Sequence, residues 1–343
     1  MSTMHAVKLT EPTGAVSLDE VDRPTPGPGE ILVRMEASGL CYTDVHLCDD
    51  DWAVVNGLVK RDLTLGHEAV GVIEELGPGV TDRAVGDRVA APFIRSACGA
   101  CQQCRRGEEN HCPNVTILGM THDGSHADFF LAVSDWVVAV PDGVTPAQAA
   151  PLACAGMSVL GGLRRADVGI GTTVGVIGIG GQGHYAVQLA KLMGARVVAM
   201  DVAPDKLDLA RRLGADEAVA VTDPDALGVL MGMGMDVVLV TAPSHEAHAL
   251  AVAVTANGGT ISLCAVPAGD TPISLALCAF KGLTLLPQAV ATRQELVDML
   301  DLAAAGAITT EVAERSLSDA PTAIDALRAG EVVGRVVFVP DET

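Results

Sequence analysis

Cys98, Cys101, Cys104 and Cys112 follow one another at C-x2-C-x2-C-x7-C spacing. Four thiolates this close in sequence can close a tetrahedral shell around one metal ion, at about 2.3 Å for zinc, and the short loops between them cost little closure entropy. A shell made of four protein ligands leaves no open position, so its expected task is to hold a lobe, about residues 95–113, in shape. Disulfides or chance clustering are the plainer alternatives. The chain has nine cysteines, an odd count that cannot pair completely, and in a reducing compartment clustered cysteines bind metal more often than one another. An iron–sulfur cluster takes the same ligands, and spacing alone does not separate it from zinc.

A second pattern is Gly178-Ile179-Gly180-Gly181-Gln182-Gly183, which fits G-x-G-x-x-G. Alone the pattern is weak. Here it directly follows the apolar run Thr173–Ile177, opens a helical pattern with Ala186, Leu189, Ala190 and Met193 on one face, and precedes Asp201 by 18 residues counted from Gly183. In that context the glycines let the backbone approach a pyrophosphate at a helix N-terminus, and a carboxylate at the next strand end accepts hydrogen bonds from a ribose diol while repelling a 2′-phosphate. Asp201 therefore favours NAD over NADP.

The elements that would carry these groups fall into three stretches. Residues 1 to about 153 hold short β-like runs, including Glu30–Ala37, Glu68–Leu76 and Asp87–Ala91, with turn signals at Pro24–Gly29 and Gly77–Gly79. From about 155 to 290 the rhythm becomes strand, helix, strand, helix. After Thr173–Ile177 come Arg196–Met200, a helix Asp205–Leu213, Ala218–Val221, Asp236–Val240, a helix near Glu246–Thr255 and Thr260–Cys264. Continuous Val/Ile runs alternating with helices predict a parallel sheet covered on both faces. The last fifty residues predict helices near Gln294–Ala305 and Thr322–Ala329 and a strand Gly334–Val339.

Composition narrows the partners. The 343 residues carry 22 Lys+Arg, of which five are Lys, against 43 Asp+Glu, a net charge of −21. Such a surface repels phosphate backbones and anionic lipid, which disfavours nucleic acid or membrane partners. The uncharged stretches Val168–Ala190 and Ala247–Gly269 are too rich in glycine and turn residues to read as membrane helices, and the N-terminal sequence lacks a secretory apolar run, so the expected location is the cytoplasm.

Jointly, these segments resemble the zinc-dependent alcohol dehydrogenases of the medium-chain dehydrogenase/reductase superfamily, over nearly the whole chain. The resemblance is carried by Gly39-Leu40-Cys41-Tyr42-Thr43-Asp44-Val45-His46, Leu65-Gly66-His67-Glu68, the four-cysteine lobe, Ala149-Ala150-Pro151-Leu152-Ala153-Cys154-Ala155-Gly156, the glycine loop and Gly334-Arg335-Val336-Val337. Residues 178–201 are especially similar to the bacterial, typically tetrameric, primary-alcohol enzymes. The resemblance implies an α/β protein: a GroES-like, β-rich catalytic domain over 1–154, a Rossmann domain with a doubly wound parallel sheet over 155–290, and a C-terminal segment, 291–343, returning to the catalytic domain.

It also implies a residue-by-residue site that spacing alone does not reveal. Cys41, His67 and Cys154 would hold a catalytic zinc with an open fourth position, and Glu68 would stand beside it. Asp44 matches a carboxylate that orients the ligand histidine. Thr43 and His46 match a relay that carries the alcohol proton to solvent by way of the nicotinamide ribose. Gly178, Gly180, Gly181, Gln182, Gly183, Asp201 and Lys206 would contact the cofactor, and Arg335 its pyrophosphate. Zinc in the lobe is preferred over iron–sulfur on the same ground, giving two zinc ions and NAD per subunit of a homotetramer or homodimer. The reaction implied is hydride transfer between a primary or small secondary alcohol and NAD.

Three residues depart from the family pattern. Tyr42 stands where many relatives carry a base, Gln182 where bacterial relatives carry Leu, and His126 where an aromatic is usual. Trp52 and Phe93 could narrow the pocket toward slender alcohols, and Cys48, Cys264 and Cys278 read as buried packing. Cys154 argues against a polyol or sugar dehydrogenase, which usually offers Glu as third ligand. Asp201 argues against a cinnamyl-type reductase, which favours NADP. A zinc- and NAD-binding redox regulator would leave Thr43 and His46 without a purpose.

Overall fold

The computed structural model describes residues 2–11, 15–52 and 56–340. The chain divides into two units: Met1–Met157 with Thr292–Gly306 and Glu311–Thr343, and Ser158–Ala291 with Ala307–Thr310. Among the described residues no helix is long and apolar enough to cross a membrane.

In the first unit the organising strand is Glu30–Gly39. Ile31, Leu32 and Val33 are all buried, so the strand reads as a continuous apolar run rather than an alternation. It needs partners on both edges, and it pairs antiparallel with Ala69–Leu76, Phe129–Val133 and, through Ser38 and Gly39, with the terminal strand Arg335–Val339. Arg88–Ala91 and Val138–Ala139 extend the sheet on one side, and Val312–Ser316 runs parallel to the terminal strand on the other. A smaller sheet joins Val16–Asp22, Thr3–Leu9 and Leu63–Thr64, and Ile94–Ser96 pairs with Thr116–Ile117 at the base of the cysteine lobe. Phe130, Phe338, Leu63, Leu65 and Val45 share the apolar core between these layers.

The second unit is a six-stranded, wholly parallel sheet in the order Glu217–Ala220, Arg196–Asp201, Thr173–Ile177, Met235–Val240, Thr255–Leu263, Thr284–Pro287. Numbered along the chain this is 3-2-1-4-5-6, with the order reversing between Thr173–Ile177 and Met235–Val240. That reversal opens a crevice at the carboxyl ends of these two strands, the usual ligand position of such sheets. Strand Thr255–Leu263 starts earlier than its apolar run suggests. Its register jumps from Met235↔Thr255 to Val237↔Thr260, so the Asn257-Gly258-Gly259 turn bulges out and pairing resumes at Thr260. The return segment Ala307–Thr310 also clusters here, because the Gln188 amide donates to Thr309 O and accepts from Thr309 N–H while Tyr185 meets the Thr310 hydroxyl.

Candidate active site

Three turns of the first unit converge. Cys41 follows the organising strand and caps helix Tyr42–Asp49; His67 and Glu68 lie just ahead of strand Ala69–Leu76; Cys154 ends the short 3-10 helix Ala150–Ala153. One donor atom from each of Cys41, His67, Glu68 and Cys154 lies within 4.8 Å of the others. His67 and Glu68 are fully buried, and neither His67 ring nitrogen nor Glu68 Oε1 has a hydrogen-bond partner. Buried polar atoms are seldom left so.

The charges are equally unresolved within the protein. Cys154 donates to Cys41, which holds the Cys41 thiol well below its usual range and the Cys154 thiol well above it. Burial pushes the Glu68 carboxyl up to about 8 against the pull of Arg335. Burial also opposes a charged His67, but Asp44 and then Cys41 outweigh it and hold the imidazole well above its normal range. Two sulfurs, an orphaned imidazole nitrogen and an orphaned carboxylate oxygen form a donor set that a zinc ion would satisfy.

Asp44 belongs to both the helix and the cluster. Its Oδ2 accepts the Cys41 N–H at 3.0 Å, completing a capping box, and its Oδ1 accepts the Gly66 N–H at 3.3 Å and lies 3.6 Å from His67 Nδ1. Gly66 has φ +99°, and a Cβ there would meet His126 at 2.5 Å, so only glycine fits this turn. Phe93 stands edge-on to the His67 ring at 5.1 Å. Thr43 Oγ1 is 3.7 Å from Cys41 Sγ. His46 Nδ1 meets Asp51 Oδ2 at 2.6 Å, and its ring packs on Trp52 at 4.3 Å and Tyr42 at 4.9 Å. The loop beyond Trp52 enters residues 53–55, outside the described residues.

Arg335 borders the same cluster. Arg335 is 4% exposed, and its guanidinium donates from Nη2 to Leu40 O at 2.8 Å and to Glu68 Oε2. The buried Glu68 carboxylate holds this cation beside the cluster. Asp51, Ser38 and Ser125 were not legible as site residues: Ser38 and Ser125 are common polar residues whose partners come from distant parts of the chain, and Asp51, though close in sequence to its partner His46, belongs to no motif.

In the lobe, the sulfurs of Cys98, Cys101, Cys104 and Cys112 lie within 4.8 Å of one another, and none of the nine cysteines forms a disulfide. Cys101 Sγ and Cys104 Sγ are 3.5 Å apart, close to the edge of about 3.8 Å in a tetrahedron with 2.3 Å metal–sulfur bonds. Backbone N–H groups of Cys98, Cys101, Cys104 and Asn114 point at the sulfurs at 3.3–3.5 Å, an arrangement that favours thiolate.

In the second unit Gly178–Gly183 joins strand Thr173–Ile177 to helix Gly183–Leu192 at the crevice. The three motif glycines have separable reasons. Gly178 has φ +93°, and a Cβ at Gly183 would stand 1.9 Å from Gly178 O, so both serve the turn itself; a Cβ at Gly180 would meet no protein atom within 4 Å. Gly180 thus faces room that a ligand could take. Asp201, at the end of its strand, accepts the Ile179 N–H at 2.6 Å on Oδ2 and the Ala203 N–H at 2.9 Å on Oδ1. Each oxygen retains a further lone pair. Lys206 lies in the first turn of helix Pro204–Arg212, and Gly181 and Gln182 complete the loop.

A zinc-binding dinucleotide oxidoreductase is the class these two sites define. The alcohol dehydrogenase GroES-like domain family matches residues 27–142 and the zinc-binding dehydrogenase family residues 181–305. An alcohol dehydrogenase of Geobacillus stearothermophilus is 39% identical over 98% of this chain and all of its own. The crystal structure of the alcohol dehydrogenase of Aeropyrum pernix superposes with a TM-score of 0.92 at 31% identity, covering 98% of this chain and 100% of that one. A zinc-binding dehydrogenase of Sinorhizobium meliloti, solved with NADP, superposes at 0.89 with 30% identity over 99% and 100% of the two chains. The chain belongs to the zinc-binding alcohol dehydrogenase family. It is an NAD(P)-dependent oxidoreductase acting on alcohols, built from a GroES-like domain and a Rossmann-like parallel sheet.

Proposed function

We propose that this enzyme interconverts primary or small secondary alcohols with their aldehydes or ketones, uses NAD in preference to NADP, and holds two zinc ions per chain. The observation that carries the reading is the buried set Cys41, His67, Glu68 and Cys154, with its orphaned nitrogen and oxygen. Zinc held there by Cys41, His67 and Cys154 supplies a Lewis acid that eases loss of the alcohol proton. The second ion belongs to the four lobe cysteines and shapes that loop.

The remaining work falls to side chains. Thr43 Oγ1, beside Cys41, accepts the hydroxyl proton and passes on its own. His46 donates Nδ1–H to Asp51, which fixes its tautomer and leaves Nε2 as the atom that takes the proton onward. Phe93, against the His67 ring, and Trp52, against His46, wall the site with apolar surface that excludes water and favours slender substrates. A bound nicotinamide would supply the hydride acceptor for the alcohol carbon, and the protein would supply alignment. Asp201 favours the ribose diol of NAD, and the Gly180 side of the loop with the N-terminus of helix Gly183–Leu192 receives the pyrophosphate.

A homo-oligomer in the cytoplasm fits the remaining surface. Phe280 and Leu275 are 91% and 75% exposed on helix Leu275–Lys281, just ahead in sequence of the edge strand Thr284–Pro287, and exposed apolar side chains together with an open sheet edge suit a second copy. Nicotinamide absorbance of zinc-replete protein against a panel of alcohols, with NAD and NADP, tests the whole reading. Turnover with NAD on small alcohols is expected. NAD binding without turnover on any alcohol would overturn it in favour of a binding protein.

A further inference from the structure

His126 stands in a fully buried chain of polar groups that ends on the candidate zinc ligand. Ser125 Oγ lies 2.7 Å from Ser38 Oγ, Ser38 Oγ 2.7 Å from His126 Nδ1, His126 Nε2 3.5 Å from Asp44 Oδ2, and Asp44 Oδ1 3.6 Å from His67 Nδ1. All five residues have no exposed surface. An imidazole in such a place costs stability unless its nitrogens are used, and the Phe338 ring packed at 4.8 Å would suit a plain aromatic equally well.

The protons close in one direction without any ionised histidine. With Ser125 O–H donating to Ser38 and Ser38 O–H to His126 Nδ1, the protons on His126 Nε2 and His67 Nδ1 are left facing Asp44 at 3.5 and 3.6 Å, longer than a hydrogen bond but within ion-pair range of the one carboxylate, and neither nitrogen has another partner. That assignment leaves His67 Nε2 with its lone pair for a metal. The backbone keeps the chain in place: Gly124, Ser125 and His126 donate to Thr64 O, Gly66 O and Leu65 O at 2.8, 3.0 and 2.8 Å, so the segment lies along the turn that carries His67.

We propose that His126 is a positioning residue for the catalytic zinc: with Ser38 behind it, it braces Asp44 and thereby sets the hold of His67 on the metal. This rests on the zinc site assigned to Cys41, His67 and Cys154 above. Groups behind a ligand histidine typically change metal affinity by about 10- to 100-fold when removed.

The test compares His126→Phe, His126→Gln, Asp44→Asn and the Phe/Asn double variant, each loaded with zinc and, separately, with cobalt at the catalytic position. Release of zinc to a chromophoric chelator and the visible cobalt spectrum are recorded, with the lobe metal as internal reference. His126→Phe should release the catalytic ion roughly tenfold faster and shift the cobalt bands, while the lobe ion is unaffected. His126→Gln, whose amide can still donate to Asp44, should stay close to wild type. In the Asp44→Asn background the Phe substitution should add nothing further, because the two act along one path. Wild-type release and spectrum in His126→Phe would overturn the proposal, as would a Phe effect that persists in full without the Asp44 carboxylate. Wild-type protein that takes up only the lobe ion is a different result, and it would remove the zinc-site reading itself.

Discussion

One carboxylate, that of Asp201, is asked to do two things. It fastens the glycine loop through the Ile179 and Ala203 N–H groups, and it is the group assigned to discriminate the adenosine ribose. Asp201→Gly should therefore erode the preference for NAD over NADP and also weaken both cofactors, because the buried Ile179 N–H loses its acceptor at about 1–3 kcal/mol and the half-buried Ala203 N–H loses its acceptor too. Steady-state KM and kcat with both cofactors check this; an unchanged NAD/NADP ratio would mean the carboxylate does not face the ribose. Cys154→Ser acts at the other site. Metal analysis should fall from two ions per chain to one, with the lobe ion retained and activity down at least about 100-fold, since a Lewis-acid metal contributes several kcal/mol at the transition state. Full activity with two ions would contradict the ligand assignment. At this scale the sequence was unevenly legible. The lobe cysteines announce themselves because all four lie in one loop, and the glycines because a strand and a helix flank them. Cys41, His67 and Cys154 come from three separate turns, so the family resemblance brought them together. Ser38 and the bracing role of His126 carry no local pattern and emerge only from tertiary contact, whereas Asp51 lies five residues from His46 but no motif marks the pair.

Among elements, the turn from strand Thr173–Ile177 into helix Gly183–Leu192 separates what folding needs from what binding needs. Gly183→Ala drives a Cβ into Gly178 O and should destabilise the second unit by about 1–3 kcal/mol, seen as a lower melting temperature without cofactor. Gly180→Ala meets no protein atom and should melt like wild type, while KM for NAD rises roughly tenfold, about 1.4 kcal/mol of binding. If both substitutions lower the melting point equally, the loop is merely a tight turn. The parallel strands were readable because burial on both faces writes unbroken Val/Ile runs between glycine-rich turns. Helices Ala226–Gly232 and Leu275–Lys281 were not anticipated: each has seven residues, too few turns to establish a periodicity. Strand Val312–Ser316 is half-exposed, with polar Glu314 and Arg315, and its pattern does not stand out either.

Over the molecule as a whole, the net charge of −21 works against an anionic dinucleotide. Raising ionic strength from 0.01 to 0.15 M shortens the screening length from about 30 to about 8 Å, so KM for NAD should fall over that range while KM for an uncharged alcohol stays constant. Parallel titrations with a neutral substrate make the comparison, and an NAD KM that rises with salt would point to a locally positive approach that the total conceals.

The strand Arg335–Val339 pairs with Ser38 and Gly39 inside the first unit's main sheet, and this has a consequence for biosynthesis. A nascent chain emerging from the ribosome presents the turns of Cys41, His67 and Cys154 first, yet it lacks the piece that pairs with Ser38 and Gly39 until residues 335–339 have been translated. The middle of the polypeptide, Ser158–Ala291, meanwhile holds all six of its own parallel strands. The half made first should therefore mature last. Deleting residues 335–343 should strip hydrogen-exchange protection from Glu30–Gly39 while that of Thr173–Ile177 survives; equal protection of both would show that the amino-terminal half reaches its native state without the strand Arg335–Val339.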